Sequence, residues 1–92
     1  MTKLQTISFL ASDVSGQKQA VIDDAPLDAT IGDLIESVVP KMDLPRNDVE
    51  GRPLTYKPLN ETAGRHLHAL EKIGDSIQPE DHIVFQPNVD AG

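Results

Sequence analysis

One amphipathic helix is the feature that most limits how this chain can fold. Apolar residues recur at spacings of three and four, at Ile31, Leu34, Ile35, Val38, Val39 and Met42. This spacing places them on one helical face, which other parts of the chain must cover. Thr30 and Asp33 have the spacing of a capping box at the positive end of the helix dipole. Pro40 is predicted to kink or end the helix near its own position.

Two short segments before the helix have the composition of strands. Residues 4–10 and 17–22 are predicted to form a hairpin around a turn at residues 13–16. The register of the hairpin stays open, because apolar residues stand side by side in both strands instead of alternating with polar ones.

The C-terminal half predicts further short elements separated by turns. Residues 53–59 read as an edge or bulged strand, because the prolines that flank it cannot donate ladder hydrogen bonds. Residues 65–68 form a strand stub, and residues 69–73 a weak helical turn that Gly74 closes. Residues 82–86 form the last strand.

These elements predict a single α+β domain in which a mixed sheet of four to five strands curls around one main helix. A chain of 92 residues has room for one core but not for two lobes with a cleft between them. The predicted centre of the core combines four residues of the helix with four residues of the strands: Ile31, Leu34, Ile35, Val38, Ile7, Phe9, Ile83 and Phe85.

Charge and composition exclude several classes of function. The formal net charge is −7, so the field of the protein repels nucleic-acid phosphates and anionic lipid headgroups. The absence of cysteine excludes a disulfide framework and a thiol nucleophile. The sequence contains no apolar stretch long enough for a signal peptide or a membrane span. We therefore expect a cytoplasmic monomer that binds neither nucleic acid nor membrane.

The last six residues differ from the rest of the chain. Residues 87–92 follow the last predicted strand and offer only Val89 to a core. The sequence thus predicts a folded domain at residues 1–86 and a flexible tail at residues 87–92. The carboxylate of Gly92 has no Cβ beside it, so it can enter a narrow enzyme channel, which makes it a plausible chemical handle.

Other candidate chemistry is sparse. His66 and His68 alternate on a possible strand, but no spacing fixes a third metal ligand such as Glu80 or His82. They are interpreted as solvated surface residues, and no metal site or cofactor is predicted. The sequence has no glycine-rich phosphate loop or nucleophile elbow, and its serines have no recognisable base partner. The protein is therefore not predicted to be an enzyme.

The order of the elements resembles the β-grasp of the ubiquitin-like family. Three segments carry the resemblance, namely the capped start of the helix at residues 28–35, Leu44 and Pro45 after it, and the run at residues 70–85 into the last strand. The proline-rich middle is more similar to the ubiquitin-like proteins of bacterial conjugation operons than to eukaryotic ubiquitin.

The resemblance implies a protein modifier joined to its targets through Gly92. An ATP-dependent activating enzyme, a conjugating enzyme, a deconjugating peptidase and covalent protein targets are the implied partners. The family commonly ends in two glycines, whereas Ala91 is penultimate here and Asp90 precedes it. These two residues are expected to suit the tail to a different enzyme channel.

Two alternative functions and one candidate binding surface remain as hypotheses. The chain could instead be a non-conjugated β-grasp module, as in small ubiquitin-like regulators of bacterial secretion. A sulfur carrier is less well supported, since Ala91 breaks the terminal glycine pair. Tyr56, Leu59 and Val84 are candidates for a partner-binding apolar area on the outer sheet face. Because Tyr56 alternates with Leu54, it can also face the core.

Overall fold

The computed structural model describes residues 5–89, with the side chain of Val89 excepted. This part of the chain contains seven elements: β1 (Thr6–Asp13), β2 (Gln19–Pro26), α1 (Ile31–Lys41), β3 (Leu54–Asn60), β4 (Arg65–His66), α2 (Ile73–Ser76) and β5 (His82–Val89). Neither helix of residues 5–89 is long and apolar enough to cross a membrane.

The strands form one mixed five-stranded sheet, in the order β2-β1-β5-β3-β4. β1 and β5 are parallel, and every other neighbouring pair is antiparallel. The side chains on one face of the sheet share a buried core with α1. The predicted α+β class and the one main helix are confirmed. The sheet was predicted to have four to five strands, and it has five.

The predicted core is largely confirmed. Six of its eight residues are buried: Phe9, Ile31, Leu34, Val38, Ile83 and Phe85. Ile7 and Ile35 are partly buried and pack against this cluster. Leu67, Ile73 and Ile77 close the core from the segment between β4 and β5.

Both predicted ends of α1 are confirmed. The side chain of Thr30 accepts a hydrogen bond from the Asp33 amide at 3.1 Å, and the Asp33 carboxylate accepts one from the Thr30 amide at 3.2 Å. This reciprocal pair satisfies two amides that a helix start would otherwise leave unpaired. Pro40 lies in the last turn, and the helix ends one residue later at Lys41.

The predicted helical turn at residues 69–73 is wrong. The carbonyl of Ala69 accepts a hydrogen bond from the Gly32 amide at 2.9 Å, and that of Glu71 accepts one from the Ile31 amide at 2.8 Å. These carbonyls satisfy the exposed amides of the first turn of α1, so they are not available for a local helix. The short helix α2 starts only at the end of the predicted segment.

A bulge in β2 shifts the register of the hairpin. Ile7 pairs with Ala25 but Phe9 pairs with Ile22, so β2 has an extra residue between these pairs. Asp24 in this interval has a φ of 60°, a left-handed conformation that aspartate tolerates better than most residues. The bulge lets both Ile22 and Ala25 face the core although two residues separate them.

The last strand is longer than predicted. β5 continues to Val89 and pairs with β3 along the way, from Asn60 opposite Ile83 to Leu54 opposite Val89. Residues 87–89, which were predicted to start the flexible tail, thus belong to the sheet. Pro87 lies opposite Tyr56 at a position that faces away from β3, so its missing amide hydrogen breaks no ladder bond.

Glu71 organises the segment that leads from β4 to α2. Its carboxylate accepts hydrogen bonds from the Arg65 guanidinium at 2.8 Å, from the His68 amide at 2.6 Å and from the Ser76 hydroxyl at 3.0 Å. These donors, with Arg65 the strongest, lower the pKa of Glu71 from 4.5 to about 2. The ionised carboxylate therefore fixes a segment that has little regular structure of its own.

Candidate functional site

The sheet face opposite α1 brings two of the predicted surface residues together. Leu59 and Val84 are cross-strand partners, and Ser12 and His66 extend the same row on either side. Residues directly opposite in neighbouring strands point to the same face of a sheet, so the four side chains form one band. We call this band, together with His82 and Leu10, the outer patch.

The outer patch is only partly apolar. Val84 is 6% exposed, so its neighbours in the row already cover most of it. Leu10 and Leu59 are half-buried, whereas Val21, which lies opposite Leu10, is 60% exposed. A partner that docks on this face would contact the leucines and Val21 more than Val84.

Tyr56 does not belong to this face, which corrects the predicted grouping. It is separated from Leu59 by an odd number of positions in a regular strand, so the two side chains point to opposite faces. Tyr56 is half-buried against the core, and its hydroxyl donates to the Pro45 carbonyl at 2.6 Å. Burial, and next the charge of Asp13, raise the pKa of its phenol.

The parallel register of β1 and β5 creates a polar relay across the outer patch. His82 Nε2 lies 2.7 Å from Ser12 Oγ, and His82 Nδ1 lies 3.1 Å from Glu61 Oε1. Each ring nitrogen of His82 thus faces one polar partner, and the tautomer of the ring decides whether Nε2 accepts from or donates to the Ser12 hydroxyl. The His82 amide also donates to the Thr62 hydroxyl at 3.0 Å, which fixes the start of β5.

This relay has the connectivity of a serine nucleophile with its base and orienting acid. The expectation that no serine has a base partner is thus wrong for Ser12. Accessibility argues against catalysis, however, because Ser12 is 2% exposed and lies inside a strand in register with Val84. Its backbone belongs to the sheet ladder, so its amide cannot also stabilise an oxyanion. The relay is better interpreted as a polar clamp that positions His82 on the surface.

The sequence contains only a weak signal for the relay. Ser12 and His82 are 70 positions apart and come together through the parallel pairing of β1 and β5. Alternation in β5 does predict that His82 and Val84 share a face opposite Ile83 and Phe85. The partner strand and its register are tertiary information that this alternation does not contain.

The other histidines are used for polar contacts. His66 Nε2 lies 3.0 Å from Gln86 Oε1 on the outer patch, and the backbone amide of His68 donates to Glu71. Across residues 5–89, no three His, Cys, Asp or Glu side chains are arranged to hold a metal ion.

The predicted conjugation residue Gly92 and the predicted recognition residues Asp90 and Ala91 lie outside the described residues. The last position described is Val89 at the end of β5, opposite Leu54.

No protein-family model matches the chain, and no curated protein has a significantly similar sequence. The similarity to ubiquitin-like proteins therefore stays a resemblance of sequence pattern and element order.

Proposed function

We propose that the chain is a ubiquitin-like modifier, which partner enzymes activate at the Gly92 carboxylate and join to amines of target proteins. The observation that carries the proposal is the arrangement of β5 inside a sheet that is compatible with a β-grasp fold. β5 lies between β1 and β3, and Gly92 follows its last residue by three positions. An extended chain spans these positions in at most about 10 Å.

The second half of β5 is paired on fewer sides than the first half. β1 pairs with β5 only as far as Phe85, so β3 is the one strand in the described part of the chain that neighbours residues 86–89. Opening these pairs would lengthen the segment that can enter an enzyme channel without disturbing Ile83 or Phe85 in the core. The outer patch provides a separate surface by which enzymes would hold the folded domain.

The proposed chemistry uses the protein as a substrate. The Gly92 carboxylate attacks the α-phosphate of ATP to form an acyl adenylate, and pyrophosphate leaves. An enzyme nucleophile displaces AMP, and a target amine then displaces that nucleophile to form an amide bond. A peptidase would hydrolyse the amide, and no residue of this chain is catalytic. We place the process in the cytoplasm, where ATP and the partner enzymes would be present.

Mass spectrometry tests the proposal directly. The protein would be expressed with candidate activating, conjugating and peptidase enzymes from adjacent genes. Tryptic peptides would then be searched for Gly92 in amide linkage to an amine. Deletion of Gly92 should abolish adducts, whereas the control variant Asn47→Ala, which changes an exposed residue and keeps the tail and its carboxylate, should still form them. Intact mass of the protein from its own cells would establish whether Gly92 is its last residue.

Two results together would refute the proposal. The first is that no adducts form with the complete enzyme set, and the second is that a Gly92-deleted protein still performs every measurable function. A non-conjugated interaction module would then take its place. One observation favours this second candidate, namely that β5 extends to Val89. Residues 87–89, half of the predicted six-residue tail, then belong to the sheet.

A further inference from the structure

A groove separates α1 from β3 on the side of the sheet that α1 covers. Its volume is about 720 Å³, which lies within the range of ligand-binding pockets. Ile35 and Val39 of α1 and Leu54 and Tyr56 of β3 form its apolar lining. Three of these four side chains are only half-buried, so the groove presents apolar surface to solvent.

Within residues 5–89, the backbone edge of β3 is unpaired at one residue of this groove. The Leu54 amide donates to the Arg46 carbonyl at 2.8 Å, and the Pro58 carbonyl accepts from the Leu67 amide at 2.9 Å. Backbone groups of alternate residues point to the same side of a strand, so the amide and carbonyl of Tyr56 face the same edge. They lie between the two bridged positions, where β4 does not reach because it pairs only with Leu59 and Asn60.

The groove also has one charge of each sign. Arg46 and Glu36 line it, and within residues 5–89 neither side chain forms a hydrogen bond or an ion pair. The other two arginines of the chain both pair with carboxylates, Arg52 with Asp48 and Arg65 with Glu71. Among the contacts that residues 5–89 make, Arg46 is thus the arginine with no carboxylate partner, which suits it to bind an external anion.

We propose that this groove binds the free C-terminal carboxylate of a partner protein whose last side chain is aliphatic. The carboxylate accepts hydrogen bonds from the Tyr56 amide and the Arg46 guanidinium, and the last amide of the ligand donates to the Tyr56 carbonyl. The aliphatic side chain packs on Ile35 and Leu54. Glu36 favours a basic residue further back in the ligand. The proposal does not depend on Gly92 or on conjugation.

The open edge favours a chain terminus over a continuous strand. A strand that paired along β3 would have to displace both the Arg46 segment and the Leu67 segment, because these already hold the positions on either side of Tyr56. A terminus needs only one residue of open edge. Backbone capture of a terminal carboxylate is an established mode of peptide recognition, and an arginine adds a charge-assisted bond.

Tyr56 provides a selective probe of the groove, because it is the only tyrosine and the chain has no tryptophan. The ligands would be an N-acetylated Gly-Lys-Ser-Val-Leu peptide with a free carboxylate and the same peptide with a C-terminal amide. Titration would be followed by Tyr56 fluorescence and by backbone amide NMR shifts. The free acid should bind with shifts centred on Tyr56, and the amide should bind roughly tenfold more weakly or worse.

Variants separate the carboxylate from the groove itself. Arg46→Gln should weaken binding of the acid roughly tenfold and leave binding of the amide unchanged. Lys57→Gln is the matched control, since it removes the same charge from an exposed β3 residue on the other face and should change neither affinity. Melting temperatures would verify that both variants are folded.

Three results would each overturn the proposal. The first is equal affinity for the acid and the amide, and the second is a shift pattern centred on the outer patch or on β2. The third is no binding by the wild-type protein at peptide concentrations of about 1 mM, where even weak recognition is half-saturated.

Discussion

Replacing Asn60 by alanine should destabilise the domain more than any other single change of a polar residue described above. Asn60 is 1% exposed at the end of β3. Its amide group donates to the Ser76 carbonyl at 3.1 Å and to Asp81 Oδ2 at 2.9 Å, and its side-chain oxygen accepts from the Ala63 amide at 3.0 Å. This one side chain therefore joins β3 to the turn before β4, to α2 and to the start of β5.

The expected magnitude follows from these contacts. The bond to the buried Asp81 carboxylate contributes about 1.5–3 kcal/mol, because one partner is charged, and the two neutral bonds contribute about 1 kcal/mol each. Asp81 keeps a hydrogen bond from the Gln78 amide at 2.8 Å, which limits the loss. We expect Asn60→Ala to lower the free energy of unfolding by about 3–5 kcal/mol. For a domain of this size, that corresponds to a decrease of roughly 12 °C or more in Tm.

Urea denaturation followed by far-UV circular dichroism and by Tyr56 fluorescence would measure the change. The matched control is Asn47→Ala, which truncates an exposed asparagine whose side chain forms no hydrogen bond within residues 5–89. The near-isosteric Asn60→Asp keeps the side-chain volume but removes both donors and places a second carboxyl group next to Asp81. It should destabilise at neutral pH at least as much as alanine does. A loss below about 1 kcal/mol for either Asn60 variant would refute the assigned network.

Four further changes test other parts of the fold by the same urea denaturation and by thermal melting. Leu34→Ala should cost about 2–5 kcal/mol, because it opens a cavity between α1 and the sheet, and an unchanged Tm would refute the placement of α1. Thr30→Ala should cost about 1 kcal/mol through loss of the helix cap, while Thr30→Ser should restore most of it. Deletion of Gly92 should leave Tm nearly unchanged, since glycine has no side chain to bury, and a marked decrease would contradict this. Glu71 has a lowered pKa, so its ionised form stabilises the fold above pH 4.5, and this contribution is lost as the pH falls towards 2. The stability difference between wild type and Glu71→Gln should therefore shrink across that interval, and a constant difference would rule out the Arg65 pairing.

The features that the sequence predicts correctly are those encoded locally. The helix α1 is set by a spacing of three and four and by a cap whose two members are three residues apart. Its end is set by Pro40, which lacks an amide hydrogen. The alternation of Ile83 and Phe85 likewise identifies the buried face of β5 without knowledge of its neighbours.

The errors arise where distant segments decide the local structure. The carbonyls of Ala69 and Glu71 bond to the first turn of α1, so the predicted helical turn does not form. Pro87 reads locally as a strand end, yet its pairing position opposite Tyr56 requires no amide hydrogen. The Ser12 to His82 contact depends on a parallel register that no local pattern specifies. In each case the local sequence does not show which distant segment lies opposite the residue.

The position of Tyr56 shows why that information matters for function. One step of register along β3 exchanges its two faces, and so it decides whether the aromatic ring joins the outer patch or lines the groove. The observed register places Tyr56 in the groove and Leu59 on the outer patch, on opposite sides of one strand. A surface variant such as Lys57→Gln can therefore alter one face and leave the other intact. If Arg46→Gln loses carboxylate binding but is conjugated normally, the groove acts independently of the tail. If deletion of Gly92 abolishes conjugation but leaves peptide binding normal, the tail acts independently of the groove.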